Sequence, residues 1–580
     1  MKKILHLVNK EGALLFLLLL CGGILSCGLK YDLFWDFVNY HYFNPWAFLN
    51  DRINYDVGAA GMNAFFNPLP DIPLYLLIKY FNDYPNFICF VQGMWFGALL
   101  FLFFKIVCQV VDTSTRVGRL QVFVILLVGA TGWSTFMQIG TSTNEIQISV
   151  FIMAGLYVLL KEMYSSKQNK WLFLLSGLLL GMAMGLKLTA VTYCVSSALA
   201  VFLYYRRLER PLEKIFFFAV GGISGFLIFN GFWMYILWEH FQNPFFPFAN
   251  EIFKSEYASI QNIRDTRFIP HTLGQFIMQP FLLFARGFEI ASDGDGYVSE
   301  SRGFIIDYRL ILAYVFFLLF ILYETGNRLF RKRFAFDWNT PSGFLLLFTL
   351  LSYLIWALLF SLFRYMVPIE LLLALFVVKI IFLFIPRSDW AKILYISLVN
   401  LILFLLISVP FFSESWGSRK MDNVSYKEGE KISDYNGEKF IFIEEVDIPD
   451  DALILFYEYP VSAVLPYWFD FLEKKNIRGL SVWQSMYITT DKGRIVDYYD
   501  YNPKWRAMRR EIMDKHQGPV IAVSGGNTQD PLGILEKMSC RGIPNNMLPL
   551  ILCVPPELEH KVWKNFEQNS KTFQKNMEEK

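Results

Sequence analysis

Long apolar runs separated by short basic loops constrain this chain more than any other feature of its sequence. Many runs are about 18 to 24 residues long, the length of an α-helix that crosses a bilayer. Hydrophobic residues make up 54% of the 580 residues and charged residues only 18%, which is less charge than a water-soluble domain carries. The sequence therefore predicts an α-helical polytopic membrane protein.

Lysine and arginine residues in the short loops set the predicted direction of each span, because such loops stay in the cytoplasm. The three lysines among the first ten residues place the N-terminus inside. About eleven transmembrane helices result, and every strongly basic short loop then falls on the cytoplasmic side. The predicted spans are residues 13–28, 87–111, 120–139, 146–160, 171–185, a sixth run ending before Arg206, 215–238, 310–323, 343–362, 366–385 and 393–409. The segment 273–285 is shorter and is predicted to be interfacial or re-entrant.

Two domains follow from this topology. Residues 1–410 form the transmembrane domain, with outer loops at residues 29–73 and 239–309. Residues 411–580 alternate short apolar strands with helical segments, which predicts an extracytoplasmic α/β domain. Thiols on that side of the membrane can be oxidised, so Cys540 and Cys553 are candidates for a disulfide, although the sequence leaves their pairing open.

Several functional classes are not supported by the sequence. No basic stripe lies in a water-facing segment, which argues against nucleic-acid binding. No CxxC pair or Cys/His cluster indicates zinc, and Asp36, His41 and Glu145 lack the spacing of a metal motif. We expect no cofactor, with a divalent metal as a minor alternative. The sequence 524–527, Ser-Gly-Gly-Asn, follows a predicted strand as phosphate loops do, but it lacks a lysine and is expected to be a turn.

An unusual group of polar residues follows the first apolar run. Asp32, Asp36, Asn39 and His41 lie among six aromatic residues within residues 31–42, at the predicted membrane surface. Such groups are costly there unless something uses or satisfies them. A partly desolvated carboxylate is more basic than one in water, which suits a general base that takes a proton from an acceptor hydroxyl. An interfacial helix whose carboxylates face water is the alternative.

Three other positions could bind a substrate. Asn144 and Glu145 lie in an outer turn, where they could cap a helix or form a second polar wall of a cavity. Lys187 could extend to the interface or meet an anionic lipid headgroup. Arg364, followed by Tyr365, could bind phosphate through its planar donors or form an intramembrane ion pair with Glu370. His41, Arg52 and Asp56 are further outer-loop candidates, for each of which a structural role is favoured.

Taken together, these segments resemble the GT-C superfamily of integral-membrane glycosyltransferases. The resemblance covers roughly Met1 to Val409 and rests on residues 35–41, the Asn144-Glu145 turn, residues 181–190, and the segment from Arg364 to Glu370; residues 243–248 also match the pattern. Members of this superfamily use polyprenyl-phosphate sugars as donors and place an essential aspartate in the first outer loop.

The resemblance implies specific partners and residue roles. Asp36 corresponds to the essential aspartate, with Asp32 as the alternative because the match does not fix the register. The expected partners are a polyprenyl-phosphate-linked sugar, a glycan or lipid acceptor, and membrane lipids at a bacterial inner membrane. Lys187 and Arg364 would hold the phosphate. No DxD motif lies in the segments that carry the resemblance, which puts metal dependence in doubt; the one DxD of the sequence, Asp293-Gly294-Asp295, lies in the predicted outer loop 239–309.

Three other functions remain open from the sequence. A lipid or solute transporter would have charges in mid-span and broken helices in two symmetric halves, and neither feature stands out. A polysaccharide polymerase or ligase would use the same donor type with a much larger acceptor. A receptor would use only the outer domain.

Overall fold

The computed structural model of the chain describes most of its residues. The described ranges are 2–30, 33, 35–258, 260, 269–289, 307–331, 336–383, 399–407, 425–427, 430–432, 439–457, 461–482, 485–489, 495–497, 502–525, 532–547 and 550–563. Asp32, the second half of the 524–527 turn and both ends of the predicted eleventh span (393–398 and 408–409) lie outside these ranges, whereas residues 399–407 of that span are described and helical.

Helices dominate the described part of the chain. The α-helices are α1 Lys2–Leu29, α2 Phe43–Leu49, α3 Ile72–Phe81, α4 Pro85–Val107, α5 Arg116–Ala130, α6 Trp133–Phe136, α7 Glu145–Met163, α8 Lys170–Leu186, α9 Val191–Leu203, α10 Pro211–Phe241, α11 Asn250–Phe253, α12 Leu273–Glu289, α13 Arg309–Arg331, α14 Pro341–Leu359, α15 Val367–Leu383, α16 Val464–Phe471 and α17 Pro503–Lys515.

Seven of these helices are long and apolar enough to cross a membrane. They lie in α1, α4, α7, α10, α13, α14 and the segment Phe363–Phe382, and they coincide with seven of the predicted spans. The predicted fifth and sixth spans correspond to α8 and α9, which are apolar but shorter. Residues 273–285, predicted to be interfacial or re-entrant, belong to α12, which contains Pro280. The prediction of a polytopic helical membrane protein is confirmed.

The predicted third span, residues 120–139, is wrong as a single helix. Helix α5 ends at Ala130, and α6 begins at Trp133. The physical reason is tertiary: two distant carboxylates accept the backbone N–H groups of residues 133–135, so the helix restarts there instead of continuing. Hydropathy cannot detect such a break, because the residues around it are mostly apolar.

The chain divides into two compact units that are not consecutive segments. Unit 1 comprises residues 1–29, 90–231 and 266–417, and unit 2 comprises 30–89, 232–265 and 418–580. The residues predicted as outer loops thus belong largely to the unit that contains the C-terminal sheet. The domain boundary at residue 410 stays a prediction from composition.

Glycines control the closest helix contacts in unit 1. Gly177 and Gly181 of α8 face α10 so closely that a Cβ atom added at Gly181 would lie 2.0 Å from the carbonyl oxygen of Gly222. On α10, a Cβ at Gly225 would lie 2.2 Å from the carbonyl oxygen of Leu178. Small residues allow this approach in membranes, where dispersion contacts rather than water exclusion hold helices together. The contact fixes the position of α8, which ends directly before Lys187.

Unit 2 contains a mixed sheet of five strands. The strands of unit 2 are β1 Ser425–Lys427, β2 Glu430–Ile432, β3 Leu453–Phe456, β4 Arg478–Ser481, β5 Ser485–Thr489, β6 Ile495–Asp497, β7 Val520–Ser524, β8 Ser539–Gly542 and β9 Ile551–Val554. The main sheet has the order β4-β3-β7-β9-β8, with β3 parallel to β4 and β7, and β9 antiparallel to its neighbours. All four residues of β3 are buried, as expected for a central parallel strand. The α/β prediction is confirmed for this region.

The segment predicted as the first outer loop extends this sheet. Val57 forms a parallel bridge with Leu480, accepting from Ser481 N at 2.9 Å and donating to Gly479 O at 3.0 Å. The Asp56 carboxylate accepts from Gly479 N at 2.6 Å and pairs with Arg52. Burial raises the pKa of the Asp56 carboxyl, and the neighbouring Arg52 opposes that shift. Arg52 and Asp56 therefore have the structural role that the sequence favoured.

Two cysteines of unit 2 form a disulfide. Cys540 on β8 and Cys553 on β9 face each other in the antiparallel register, and their sulfur atoms are bonded. The pairing that the sequence left open is thus present in the structure.

Gly181→Leu tests the close α8–α10 contact. We expect it to lower the free energy of unfolding by about 1–3 kcal/mol, because the added side chain must separate two backbones. Thermal unfolding of the detergent-solubilised protein measures the effect. Gly326→Ala on α13 is the control: a Cβ there meets nothing within 4 Å, so stability should stay equal or rise. An unchanged melting temperature for Gly181→Leu would contradict the contact.

Candidate functional site

A buried carboxylate from α15 holds the short helix α6 in unit 1. The Glu370 side chain accepts hydrogen bonds from Ser134 N at 3.0 Å and from Thr135 N at 2.8 Å, together with Thr135 Oγ1 at 2.6 Å. The first N–H groups of a helix lack intrahelical partners, and an anion placed there satisfies them. Glu370 thus fixes the position and direction of α6.

A second buried acid, Asp307, completes this arrangement. Asp307 Oδ2 accepts from Trp133 N at 2.8 Å and from Arg309 Nη1 at 2.8 Å. Arg309 is 1% exposed and also donates to the carbonyl oxygens of Val128 and Leu406. The arginine therefore compensates the acid and binds the end of α5 in the same network.

Gln138 connects α6 to two segments that the sequence singled out. Its Nε2 donates to the carbonyl oxygen of Arg364 at 2.9 Å, and its Oε1 accepts from Thr143 Oγ1 at 2.9 Å. Ser134 Oγ also donates to the Arg364 carbonyl at 3.1 Å. The backbone at Arg364 and the turn before α7 are therefore held to the same buried side chain.

Lys187 and Glu145 form an ion pair where α7 begins and α8 ends. Lys187 Nζ donates to Glu145 Oε1 and, at 2.6 Å, to the carbonyl oxygen of Thr143. Glu145 is the first residue of α7, the favourable end of a helix for a negative charge. Lys187 is both the C-cap residue of α8 and the residue before the short 3₁₀ helix Leu188–Ala190. Asn144 occupies the N-cap position with φ of 67°, a left-handed conformation that asparagine tolerates, and its side chain makes no capping hydrogen bond.

Arg364 and Tyr365 lie beside this pair. The Lys187 Nζ atom is 5.7 Å from the centroid of the Tyr365 ring, and Arg364 Cζ is 5.1 Å from the same centroid. Tyr193 OH donates to the Tyr365 carbonyl at 2.5 Å and so anchors the segment. The structure therefore gathers two cations around one aromatic ring, with Glu145 bound to one of them.

Unit 2 holds the acidic motif on a short π-helix, Phe37–His41. The i→i+5 pattern is visible in the bond from Tyr42 N to Phe37 O at 3.3 Å. Ala463 N donates to the carbonyl of Val38, and Ser462 Oγ donates to the carbonyl of Asn39. These tertiary bonds support a helix type that is rare and often found at functional sites.

The polar residues of the motif are buried. Asp36 precedes the π-helix and is 8% exposed, while Asn39 and His41 are almost fully covered. His41 Nδ1 lies 2.8 Å from Asp71 Oδ1. Burial raises the pKa of Tyr42 well above its ordinary value, and the nearby Asp470 adds to the shift, so this phenol stays neutral. The carboxylate of Asp36, the one acid of the motif among the described residues, therefore does not face water.

The structure brings together the predicted site residues within each unit. In unit 1 it groups Asn144, Glu145, Lys187, Arg364 and Tyr365; in unit 2 it groups Asp36, Asn39 and His41. Asp32 lies outside the described residues. That the two groups converge on a single pocket stays a prediction.

Comparison with known proteins identifies the fold. Neither a protein-family model nor a curated protein sequence matches the chain. By structure the chain is similar to ArnT from Cupriavidus metallidurans, crystallised with bound undecaprenyl phosphate, with TM-score 0.50 and 10% identity; the alignment covers 94% of this chain and 98% of ArnT.

The protein therefore has a GT-C fold. This likeness confirms the architecture that the sequence resemblance predicted. It concerns the fold alone, so the residue roles rest on the geometry above.

Sequence reasoning missed the residues that support the two groups of candidate residues. Gln138, Asp307, Arg309 and Asp71 were not singled out, and Glu370 was considered only as a partner of Arg364. Gln138 did carry a signal, because it is a polar residue inside an apolar run. Asp307 and Asp71 carried none, since their partners are remote in sequence.

Glu370→Leu tests the carboxylate that holds α6. The substitution leaves three hydrogen-bond donors of Ser134 and Thr135 without their acceptor, so we expect the free energy of unfolding to fall by about 3 kcal/mol or more. Chemical unfolding in detergent measures this loss. Ser176→Ala is the comparison, because it removes one buried hydrogen bond, to Gly155 O, and should cost about 1 kcal/mol. Equal losses in the two variants would contradict the role of Glu370.

Proposed function

We propose that this protein is an inverting glycosyltransferase of the bacterial inner membrane. It moves a sugar from a polyprenyl-phosphate carrier to a glycan or lipid acceptor on the outer face. The observation that carries the proposal is the cluster of Lys187, Arg364 and Tyr365 in a chain that shares its fold with ArnT, a protein crystallised with undecaprenyl phosphate. The disulfide between Cys540 and Cys553 supports an extracytoplasmic location for the C-terminal sheet.

The cationic cluster suits the phosphate of the carrier. A protonated lysine has three N–H donors, and Lys187 uses two of them for Thr143 and Glu145. Arg364 adds a planar fork of donors and leaves the cluster with one positive charge in excess of Glu145. Fixed donors of this kind stabilise the charge that develops on the leaving phosphate.

Asp36 is the proposed general base. Its carboxylate takes the proton of the acceptor hydroxyl while that oxygen attacks the anomeric carbon of the sugar. The bond from the anomeric carbon to the phosphate oxygen breaks, and its electron pair leaves with the polyprenyl phosphate. Attack on the face opposite to the leaving group inverts the anomeric configuration. Asp32 is the alternative base, while Asn39, His41, Asn144 and Tyr365 would position the substrates, without a metal.

Sugar consumption by the purified protein tests the proposed reaction. The enzyme in nanodiscs is incubated with radiolabelled undecaprenyl-phosphate hexoses and pentoses and with a membrane extract as acceptor source. Label should leave the carrier and enter a glycan or lipid fraction. Movement of intact carrier across the bilayer without loss of sugar would instead identify a transporter.

Charge substitutions at Lys187 and Glu145 test the phosphate site. We expect Lys187→Met to weaken undecaprenyl phosphate binding about tenfold, the effect of losing one charge-assisted contact. Glu145→Gln should strengthen binding several-fold, because it removes the negative charge that competes for Lys187. Fluorescence titration measures both dissociation constants. Lys105→Met, which breaks a separate ion pair with Glu11, should leave binding unchanged. If Glu145→Gln weakens binding instead, the carboxylate is not a competitor of the phosphate.

Asp36→Asn tests the proposed base. The amide keeps the size of the side chain but cannot accept the proton, so turnover should fall by about 10²–10⁴-fold while undecaprenyl phosphate binding is retained. Asp470→Asn is a matched control within unit 2: this buried acid bonds Tyr75 and Lys79, so its loss should lower stability but not turnover. Near-normal turnover by Asp36→Asn would refute the assignment.

A further inference from the structure

One ring nitrogen of His41 has a hydrogen-bond partner, whereas the other has none among the described residues. Its Nδ1 lies 2.8 Å from Asp71 Oδ1, and both side chains are almost completely buried. An ionised carboxylate only accepts hydrogen bonds, so the proton of the neutral ring belongs on Nδ1 and leaves Nε2 as an acceptor. Nε2 is buried and has no hydrogen-bond partner among the described residues.

Asn39, two residues earlier on the same π-helix, shows the same pattern. Its Nδ2 donates to the carbonyl oxygen of Ala60 at 3.5 Å. Its Oδ1 is buried and, within the described part of the chain, has no donor. One short helix therefore carries two buried acceptors that lack a donor, which lowers stability unless another molecule supplies one.

Two other buried amides of unit 2 are satisfied on both sides. Asn82 donates to the carbonyl of Ile441 at 2.9 Å and accepts from Ile441 N at 2.8 Å. Asn546 donates to Phe440 O at 3.1 Å and accepts from Phe442 N at 2.8 Å. Asn44 resembles Asn39 instead: its Nδ2 donates to Asn63 O at 2.8 Å, and its Oδ1 is buried without a partner among the described residues. The π-helix differs in that two such acceptors lie two residues apart on one short helix.

We propose that Asn39 Oδ1 and His41 Nε2 accept hydrogen bonds from two hydroxyl groups of a sugar substrate, with Asp71 as the residue that positions His41. The inference rests on the glycosyl transfer proposed above. Hydroxyl groups are the donors that a sugar offers, whereas an ionised phosphate and a polyprenyl chain offer none. The hydroxyls belong either to the sugar on the carrier or to the acceptor glycan.

Binding of carriers with and without a sugar tests the inference. We measure the dissociation constants of undecaprenyl phosphate and of undecaprenyl phosphates carrying glucose, mannose or arabinose. In the wild type the best glycosylated carrier should bind at least about tenfold more tightly than the bare carrier. Asn39→Leu, which keeps the shape but removes the acceptor, should bring this ratio close to one while binding of the bare carrier is kept.

The melting temperature distinguishes a ligand-binding role of Asn39 from a structural role. Asn39→Leu removes an acceptor that has no donor and, with it, the long 3.5 Å bond from Nδ2 to Ala60 O, so its melting temperature should stay close to that of the wild type. Asn82→Ala is the control, because it removes two backbone contacts of a satisfied amide. It should lower the melting temperature without changing the preference for the glycosylated carrier. In Asp71→Asn the new amide can donate to Nδ1, which moves the ring proton to Nε2 and turns the acceptor into a donor. In this variant too, the glycosylated carrier should bind no more tightly than the bare carrier.

Each outcome has a defined meaning. If the variants keep the wild-type preference for the glycosylated carrier but transfer sugar at least about tenfold more slowly, the hydroxyls belong to the acceptor glycan. If both Asn39→Leu and Asp71→Asn keep the wild-type preference for the glycosylated carrier and also the wild-type rate of transfer, the inference is overturned. Failure of the wild type to bind bare undecaprenyl phosphate would refute the proposed function itself.

Discussion

The structure of unit 1 depends on how it satisfies backbone N–H groups away from water. Helix α6 begins where hydropathy predicts an uninterrupted span, and its first three N–H groups are bound by the carboxylates of Asp307 and Glu370. A membrane interior offers no water for such groups, so a helix break requires partners from the protein. The carboxylates stabilise the break, and Gln138, just beyond it, then reaches both Arg364 and Thr143.

The cationic cluster follows from this framework and from helix packing. Glycines allow α8 and α10 to approach until their backbones touch, and α8 ends at the residue before Lys187. Glu145 begins α7, so the ion pair joins a helix C-terminus to a helix N-terminus. The N-terminus of α7 favours the negative charge of Glu145, and Lys187 supplies the counter-ion. The cluster is therefore held by backbone geometry as much as by side chains.

In unit 2, the polar residues that join segments and those of the π-helix differ in whether their buried atoms have hydrogen-bond partners. Arg52, Asp56 and Val57 join the segment before α3 to the sheet, and each of them has partners there. On the π-helix, by contrast, Asn39 and His41 keep acceptors without donors among the described residues. Stability and function make opposite demands on buried polar atoms, and this contrast separates the connecting residues from the candidate binding residues.

The sequence by itself determined the class of fold, seven of the spans, the sheet domain and most of the candidate residues. It could do so because apolar length, basic loops and strand alternation are local properties, visible at each position. Only the tertiary structure decided the break between α5 and α6, the pairing of Lys187 with Glu145, the disulfide, and the contacts of Gln138 and Asp71. Each of these joins residues whose partners lie elsewhere in the chain, and a hydrogen bond between remote residues leaves no periodic trace in the sequence. The acid at position 370 shows the difference: the sequence suggested an ion pair with Arg364, whereas the fold gives its carboxylate three donors from the start of α6.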